Sequence, residues 1–346
     1  EFSIEKFEIG YAPISIDTIN FLKSNHYNLT DAIDLGVIDN GTNGLYSRFI
    51  ERITFPIYSI TGKLVGFGGR TITGHNAKYV NSPQTKLFNK SRLLYGYHLA
   101  KEQIYKKNQI IVCEGYLDVI MLHQAGSNTA VATLGTALTT EHLPLLRRGE
   151  PKVILAYDGD KAGLAPAFKA SVMLSQSEFE GGVIIFADGL DPADMVHNGK
   201  ISELNEIFSN PISYIPYSIN YIVSKYDINE PNQKQKALTE ANEYLKTLSL
   251  LNQDEYKRYL AQKLNIRENL IKISSNKQRT YEPNLTKIDI AELCIIKSIL
   301  EKPKRLDCVL DIVDSSMFEA HKNEFELLLT DIENISLNSI VLNEKL

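Results

Sequence analysis

Four acidic side chains, each placed after a short apolar run, are the residues of this sequence best suited to chemistry. They are Glu114, Asp158, Asp160 and Asp191. Carboxylate oxygens, rather than histidine nitrogen or cysteine sulfur, are the ligands that Mg²⁺ and Mn²⁺ prefer. Carboxylates that lie close together repel one another, so at neutral pH a cation or a proton must accompany them. Because Mg²⁺ commonly takes some ligands from a substrate phosphate, these acids indicate phosphoryl transfer.

The apolar runs before the acids predict the strands of a parallel sheet. They consist of β-branched and other apolar residues without the alternation of a strand that faces water, which is typical of strands buried on both faces. The three runs are residues 110–113, 153–157 and 183–187, and a fourth run is residues 129–134.

The segments between these runs predict helices. Residues 117–124 have helical apolar spacing, residues 162–174 are good helix formers, and a further helix is expected between residues 139 and 149. Pro166 is expected in the first turn of its helix, where its missing amide costs nothing. The alternation of strand and helix predicts right-handed crossovers and a parallel sheet covered by helices.

The carboxyl ends of parallel strands share one edge of a sheet, and ligands bind outside that edge. We therefore expect the four acids to converge there, with Asp118 one turn into the helix that follows the first strand. For any single acid, a helix cap or a turn residue is the simpler interpretation. Acids that follow three strands of one sheet favour a metal site instead.

Two segments that contain these acids resemble a known domain. Residues 114–119 read Glu-Gly-Tyr-Leu-Asp-Val and residues 157–163 read Tyr-Asp-Gly-Asp-Lys-Ala-Gly. Both are similar to the signature segments of the TOPRIM domain, which DnaG-type primases, topoisomerases and some nucleases share. Residues 67–70 and 78–85 resemble the segment that precedes TOPRIM in primases. By this resemblance, which covers about residues 7–273, the chain is identified as a member of the DnaG-type primases.

The resemblance implies a DNA-directed RNA polymerase that makes short RNA primers on single-stranded DNA at replication forks, as part of the primosome. Such a nucleotidyltransferase uses ribonucleoside triphosphates: a 3′-hydroxyl attacks an α-phosphorus and pyrophosphate leaves. One or two Mg²⁺ or Mn²⁺ ions are implied as cofactors. The implied catalytic residues are Glu114, Asp158 and Asp160, and the implied metal ligands are Glu114, Asp118, Asp158, Asp160 and Asp191. Glu114 is either a general base or a ligand.

The third acidic cluster departs from the family pattern. The family often has Asp-Pro-Asp, whereas this chain has Asp191, Pro192, Ala193 and Asp194, so that Ala193 stands where the second acid is expected. Asp194 could replace that acid only if the backbone shifts, because its side chain would otherwise point elsewhere.

Basic residues are concentrated ahead of the acidic clusters. The whole chain has a net charge of −5, but residues 46–107 carry eleven basic residues against two acidic ones, a net charge of +9. This asymmetry predicts a basic surface beside an acidic metal site. The candidate contacts to template DNA or incoming nucleotide are Arg48, Arg52, Arg70, Lys78, Asn81 and Lys90. Contacts of this kind to phosphate give an affinity that falls with salt.

The remaining patterns predict the domain organisation. Residues 52–60 and 63–72 should form a hairpin, and the glycine cluster at residues 66–69 favours a bulge. The tyrosines between residues 214 and 226 favour core packing over base stacking. The predicted parts are an N-terminal basic α+β subdomain (1–107), a TOPRIM domain (108–210), a helical subdomain (211–273), a linker (274–287) and the start of a helicase-interaction region (288–346).

Composition and termini add further expectations. No apolar run is long enough to span a membrane and no export signal is recognisable, so a cytoplasmic protein is expected. The three cysteines are too scattered for a disulfide framework, and no zinc motif is present. The chain begins without Met, and the zinc-binding domain that usually precedes this region in DnaG-type primases is expected to be absent. Residues 288–346 are expected to be an incomplete module, which leaves binding of the replicative helicase open.

Two other functions compete with the primase interpretation. A topoisomerase or TOPRIM nuclease would share the acidic cluster but cleave strands, and a topoisomerase usually has a third Asp where this chain has Ala162. A noncatalytic scaffold that binds DNA and helicase would need no intact acids. Metal-dependent turnover distinguishes these possibilities.

Overall fold

The computed structural model describes residues 2–42, 44–74, 77–159, 161–186, 189–273, 289–310, 313, 317–318 and 320–330. The chain separates into two compact units. The first comprises Glu1–Leu99 and Glu282–Leu346, and the second comprises Ala100–Tyr281.

A four-stranded antiparallel sheet forms the centre of the N-terminal part of the first unit. The helices and strands of this part are α1 (Phe2–Lys6), β1 (Gly10–Ala12), α2 (Ser15–Ser24), α3 (Leu29–Asp34), β2 (Ile38–Gly41), β3 (Gly44–Ser47), β4 (Arg52–Tyr58), β5 (Leu64–Thr71), β6 (Tyr79–Asn81) and α4 (Tyr97–Lys107), the last of which runs on into the second unit. The sheet has the order β1-β4-β5-β6, and β2 and β3 form a separate hairpin.

The predicted hairpin is confirmed by β4 and β5, which turn at Gly62 with a φ of +83°. Ile57 pairs with Gly66 and Tyr58 pairs with Leu64, so that Val65 has no partner in the register. The irregularity therefore lies directly before the glycine cluster rather than within it. Close packing explains the first of these glycines, because a Cβ on Gly66 would lie 2.7 Å from a ring carbon of Phe88.

The second unit contains the predicted parallel sheet. Its elements are β7 (Gln109–Cys113), α5 (Tyr116–Gln124), β8 (Ala130–Ala132), α6 (Leu143–Leu146), β9 (Lys152–Tyr157), α7 (Lys161–Gln176), β10 (Gly181–Ile185), α8 (Pro192–His197), α9 (Ile201–Ser209), β11 (Ile212–Ser213), α10 (Tyr214–Ser224), α11 (Pro231–Leu245) and α12 (Leu250–Leu264). The order is β11-β10-β9-β7-β8, with β11 antiparallel and the other four strands parallel. The central residues of the four parallel strands are buried, as their apolar runs predicted, although Ile185 at the end of β10 is 46% exposed.

The order of the strands creates a topological switch point. The chain passes from β7 through α5 to β8 on one side, and then returns to the other side of β7 to form β9. Connections therefore diverge between β7 and β9, which opens a crevice at the carboxyl ends of these two strands. Ligands of open parallel sheets bind at such a crevice.

One helix begins earlier than its proline suggests. Pro166 is the sixth residue of α7, so the expectation that it lies in the first turn is wrong. Proline has no amide hydrogen, and the carbonyl four residues earlier, that of Ala162, loses its helical hydrogen bond. The α-helix nevertheless continues through Pro166 for ten further residues.

Helices α10, α11 and α12 pack around one apolar core. Its fully buried members include Ile219, Ala237, Ala241, Leu245, Leu260 and Leu264. The tyrosines pack as predicted: the hydroxyl of Tyr214 donates to the carbonyl of Val153, Tyr221 stacks on Phe168, and the hydroxyl of Tyr226 donates to Glu240. The predicted linker, residues 274–287, lies outside the described residues.

Three helices near the C-terminus belong to the first unit. They are α13 (Ile290–Glu301), α14 (Leu306–Leu310) and α15 (Lys322–Thr330). Phe318 and Phe325 stack with their ring centroids 4.2 Å apart in the core that these helices share. Across the described parts of the chain, no helix is both long and apolar enough to cross a membrane.

Candidate active site

Glu114 and Asp158 lie together at the switch point. Each directly follows its strand, and the ends of the two strands are paired, with Cys113 opposite Ala156. The backbone amide of Asp158 donates to Oε1 of Glu114 over 3.4 Å. The structure therefore brings these two candidate residues to the crevice between β7 and β9.

Asp118 lies in the first turn of α5 and is buried, with 7% of its surface exposed. Its Oδ2 accepts the backbone amide of Gly115 at 3.0 Å. Burial, followed by the negative charges of Asp191 and Asp158, raises the pKa of Asp118 to about 7. The backbone amides of Gly115 and Ala193 oppose this shift. The charges of Asp191 and Asp158 thus favour the protonated form of the Asp118 carboxyl group.

Asp191 caps α8 at the same edge of the sheet. Its Oδ1 accepts the backbone amide of Asp194 at 2.6 Å, whereas the Asp194 side chain is exposed to solvent. The methyl group of Ala193 has no atom that could bind a metal ion. Replacement of the missing acid by Asp194 stays a prediction, which its exposed side chain does not support.

A buried thiol lies at the end of the first parallel strand. Cys113 is fully buried at the end of β7 and directly precedes Glu114. Burial raises the pKa of its thiol well above the ordinary value, and the charges of Asp118, Asp158, Glu114 and Asp191 raise it further. The thiol is therefore protonated at neutral pH. Sequence reasoning did not assign Cys113 to this site, although it directly precedes Glu114.

The donors at this edge fit a divalent cation that prefers oxygen. Asp160 lies outside the described residues. Within the described ranges, which omit it, no three His, Cys, Asp or Glu side chains are arranged to hold a metal ion. Burial, followed by the charges of Asp191 and Asp158, nevertheless raises the pKa of Asp118, and a bound cation would offset the repulsion between these charges. A complete coordination sphere would thus need further oxygens, from Asp160, water or a substrate phosphate.

Two glycines, one after β9 and one in the first turn of α7, shape the backbone around Asp158. A Cβ on Gly159 would lie 2.1 Å from the carbonyl oxygen of Phe186, and a Cβ on Gly163 would lie 2.2 Å from the carbonyl oxygen of Asp158. Neither position has room for a side chain. The glycines therefore allow the backbone that carries Asp158 to turn tightly at the edge of the sheet, a role that the sequence alone did not show.

Arg52, one of the candidate nucleic-acid contacts, serves the fold of the first unit instead. Only 4% of its surface is exposed. Its guanidinium donates to the carbonyl oxygens of Gly69 and Lys78, both at 3.3 Å, and of Ala77 at 3.0 Å. A guanidinium engaged in this way stabilises the N-terminal sheet, and the contact of Arg52 with nucleic acid stays a prediction without support from this arrangement. Its strand pattern gave no sign that the charge points inward.

The other basic candidates remain closer to the surface. Arg48 forms an ion pair with Asp39 at 3.3 Å. Arg70 lies over the ring of its cross-strand partner Tyr79, with 5.6 Å between the guanidinium carbon and the ring centroid. Lys78 and Lys90 are exposed, and Asn81 is half-buried at the end of β6. Their contacts with nucleic acid remain predictions.

Family models match most of the chain. They describe a DNA primase catalytic core, N-terminal domain (residues 1–101), a Toprim domain (108–185), a DnaB-helicase binding domain of primase (217–269) and a DnaG-primase C-terminal, helicase-binding domain (289–346).

Individual relatives agree with these models. The chain is 43% identical to a DNA primase of Helicobacter pylori over an alignment of 364 residues. This alignment covers 99% of this chain and 65% of that protein. A DnaG primase catalytic domain bound to ssDNA is 31% identical, with a TM-score of 0.69 over 78% of this chain and 86% of that one. The E. coli primase catalytic core is also 31% identical, with a TM-score of 0.68 over 77% and 87% of the two chains. This chain therefore belongs to the family of DnaG-type primases.

Proposed function

We propose that this chain carries the RNA polymerase activity of a primase: template-directed synthesis of short RNA primers on single-stranded DNA by metal-dependent nucleotidyl transfer. The chain spans 65% of the length of its H. pylori relative, so the activity of the whole protein is part of this proposal. The observation that carries it is the placement of Glu114 and Asp158 together at the sheet switch point, where the amide of Asp158 donates to Oε1 of Glu114.

The family implies the use of a divalent metal, and we assign this role to Mg²⁺ or Mn²⁺. When bound, such an ion would orient the triphosphate and neutralise the charge that develops during transfer. Glu114, Asp118, Asp158, Asp160 and Asp191 would hold it through carboxylate oxygens. All five are proposed from their place in the sequence, and all except Asp160 also from their place at the edge of the sheet.

In the proposed reaction, the 3′-hydroxyl oxygen of the growing strand forms a bond to the α-phosphorus of a ribonucleoside triphosphate. The bond to the bridging oxygen breaks, pyrophosphate leaves, and the hydroxyl proton is released. Glu114 either accepts that proton or serves as a ligand. Its Oε1 already accepts the amide of Asp158, an interaction that holds the carboxylate at the switch point in either role.

The template and the other partners are assigned from the family and from surface chemistry. Lys78, Lys90, Arg70, Arg48 and Asn81 are proposed to contact the DNA template or the incoming nucleotide. A replicative helicase is proposed as a partner of residues 217–269 and 289–346, because both stretches match helicase-binding family models. We also propose the division into subdomains at residues 107, 210, 273 and 287.

Incorporation of labelled ribonucleotides on single-stranded DNA of defined sequence tests this proposal. With Mg²⁺ or Mn²⁺ and a pre-annealed primer, the added nucleotide should be complementary to the template base and should change when that base is changed. Nicking of the DNA without synthesis would support a TOPRIM nuclease instead. Binding of DNA and helicase with neither reaction would support a noncatalytic scaffold.

A further inference from the structure

Two consecutive backbone amides after β9 donate to residues on both sides of that strand. The sheet order places β9 between β7 and β10. The amide of Asp158 donates to Oε1 of Glu114, which follows β7, at 3.4 Å. The next amide, that of Gly159, donates to the carbonyl of Leu190 at 3.5 Å. Because Leu190 directly precedes Asp191, the loop after β9 is connected to the acids on both sides.

The hydrogen bond from Gly159 joins two rigid peptide planes. The amide of Gly159 shares its plane with the Cα of Asp158, and the carbonyl of Leu190 shares its plane with the Cα of Asp191. Two planes and one hydrogen bond therefore separate the Cα atoms of these two aspartates. Rotation of either plane would move the side chain attached to its Cα, so this hydrogen bond limits where the two carboxylates can lie.

The close approach of Phe186 holds Gly159 against the same connection. A Cβ on Gly159 would lie 2.1 Å from the carbonyl oxygen of Phe186 and 3.0 Å from its carbonyl carbon. Phe186 directly follows β10, and Leu190 directly precedes the residue that caps α8. Both ends of the connection from β10 to α8 thus lie against Gly159. Since Phe186 is only 2% exposed, its backbone has little room to move away.

The carbonyl side of the first peptide plane is enclosed as well. Gly163 lies in the first turn of α7, where a Cβ would come within 2.2 Å of the carbonyl oxygen of Asp158. The plane between Asp158 and Gly159 is therefore held on one side by α7 and on the other by the carbonyl of Leu190. A plane held on both sides cannot turn without displacing its neighbours.

We propose that Gly159 is a positioning residue, whose amide sets the separation of the Asp158 and Asp191 carboxylates through the carbonyl of Leu190. This inference rests on the proposed function, in which both aspartates bind the divalent cation. Mg²⁺ requires ligands in nearly ideal octahedral directions. Two ligands that come from different strands therefore need a defined separation, which the hydrogen bond from Gly159 provides.

Replacing Gly159 by glycolic acid in the full chain, by nonsense suppression, tests the role of this amide. The replacement exchanges the N–H group for an ester oxygen and adds no Cβ, so it leaves the contact with Phe186 unchanged. Mn²⁺ binding, followed by the electron paramagnetic resonance of free Mn²⁺, is the readout. Because groups that orient a metal ligand contribute about 10–100-fold to affinity, the Mn²⁺ dissociation constant should rise at least about tenfold. An unchanged dissociation constant would overturn the proposal.

Glycolic acid in place of Gly126 is the matched control. The amide of Gly126 donates to the carbonyl of His123 at 3.1 Å, and Gly126 lines a pocket with Gln109 at the amino edge of the sheet. This ester also removes one backbone hydrogen bond, but it should leave Mn²⁺ binding unchanged. Equal weakening by the two esters would indicate a general loss of structure and would overturn the proposal.

A double-mutant cycle with Asp191→Asn tests whether Gly159 acts through Asp191. In the Asp191→Asn background, the ester at position 159 should change the Mn²⁺ dissociation constant by less than about threefold. A loss in that background as large as in the parent chain would mean that Gly159 acts on another ligand, which would contradict the proposal.

Hydrogen exchange of the Gly159 amide in the unmodified chain, followed by NMR, serves if the ester variant does not fold. The amide should be protected, and exchange at the rate of an unstructured glycine would overturn the hydrogen bond. None of these measurements requires RNA synthesis. A parent chain that binds no Mn²⁺ would contradict the proposed metal site, whereas a parent chain whose Mn²⁺ binding survives the ester at position 159 contradicts this inference alone.

Discussion

Replacing Arg52 should destabilise the first unit rather than weaken binding to a phosphate. The change Arg52→Met keeps much of the side-chain length but removes three hydrogen bonds of 3.0 to 3.3 Å from a charged donor to the carbonyls of Gly69, Ala77 and Lys78. A hydrogen bond to a charged group contributes about 1.5–3 kcal/mol, and bonds that share one donor group are not additive. We therefore expect a loss of about 3 kcal/mol in the free energy of unfolding.

Thermal and urea unfolding of the variant measure this loss. For a unit of this size, about 3 kcal/mol corresponds to a fall in Tm of roughly 6–12 °C. Arg70→Met is the matched control, because Arg70 is half-buried and its guanidinium lies over the ring of Tyr79. A contact of that kind contributes about 0.5–1 kcal/mol. The two arginines lie on the paired strands β4 and β5 of the same hairpin. Replacing Arg52 should nevertheless lower the free energy of unfolding far more than replacing Arg70.

DNA binding at several salt concentrations completes the comparison. Removing one side chain that binds a phosphate should reduce the slope of log affinity against log salt by about 0.7 for single-stranded DNA. Lys78→Ala and Lys90→Ala should each reduce it, whereas Arg52→Met should leave it unchanged at a temperature where the variant is folded. An Arg52→Met variant that unfolds like the parent chain but has a reduced salt slope would refute our interpretation of Arg52.

Three further changes have defined outcomes. Gly159→Ala places a Cβ 2.1 Å from the carbonyl of Phe186 and should lower the free energy of unfolding by more than about 2 kcal/mol; an unchanged urea midpoint would contradict this. In protein without divalent cations, the pKa of Asp118 is about 7 against an ordinary 3.8, so the folded state holds this proton more tightly. The contribution of this proton to stability is complete below about pH 4 and is lost as the pH rises through about 7. Asp118→Asn should therefore flatten the plot of Tm against pH between these values when it is recorded with EDTA. An equally steep plot for the variant would argue against the raised pKa. Glu292 is buried and accepts the amides of Ala320 at 3.1 Å and His321 at 2.7 Å. Loss of two hydrogen bonds to a charged group should cost more than about 1.4 kcal/mol, which corresponds to a factor of ten. Glu292→Ala should therefore speed amide exchange at residues 320–321 by more than tenfold. The exposed Glu326, paired with Lys322 over 3.8 Å, is the control, and equal effects of the two alanine variants would count against the predicted role of Glu292.

The parallel sheet was predictable because its strands are buried on both faces. That burial appears in the sequence as unbroken apolar runs, and the acid that ends a run must lie at the carboxyl edge. Glu114 and Asp158 could thus be placed before the structure was known. The switch point between β7 and β9 was not predictable in the same way, because the order of strands depends on pairing between distant segments.

Arg52 and Asp118 show why the remainder could not be predicted. A strand pattern reveals which residues alternate, but it does not reveal that an arginine turns inward to three backbone carbonyls. Asp191 follows another strand far along the chain, yet its charge helps to raise the pKa of the buried Asp118, and no local spacing connects the two. Residue types alone therefore could not show what surrounds either side chain.

The central claim is that carboxylates at the β7–β9 switch point carry template-directed nucleotidyl transfer. Single-turnover addition of one complementary 3′-deoxyribonucleotide to a pre-annealed RNA primer, with Mn²⁺ present, tests it most directly. Asp158→Asn should reduce the rate by at least about 100-fold, while Asp194→Asn, whose side chain is exposed, should keep the parent rate. Equal rates for the parent chain and Asp158→Asn would contradict the claim, as would complete absence of addition by the folded parent chain.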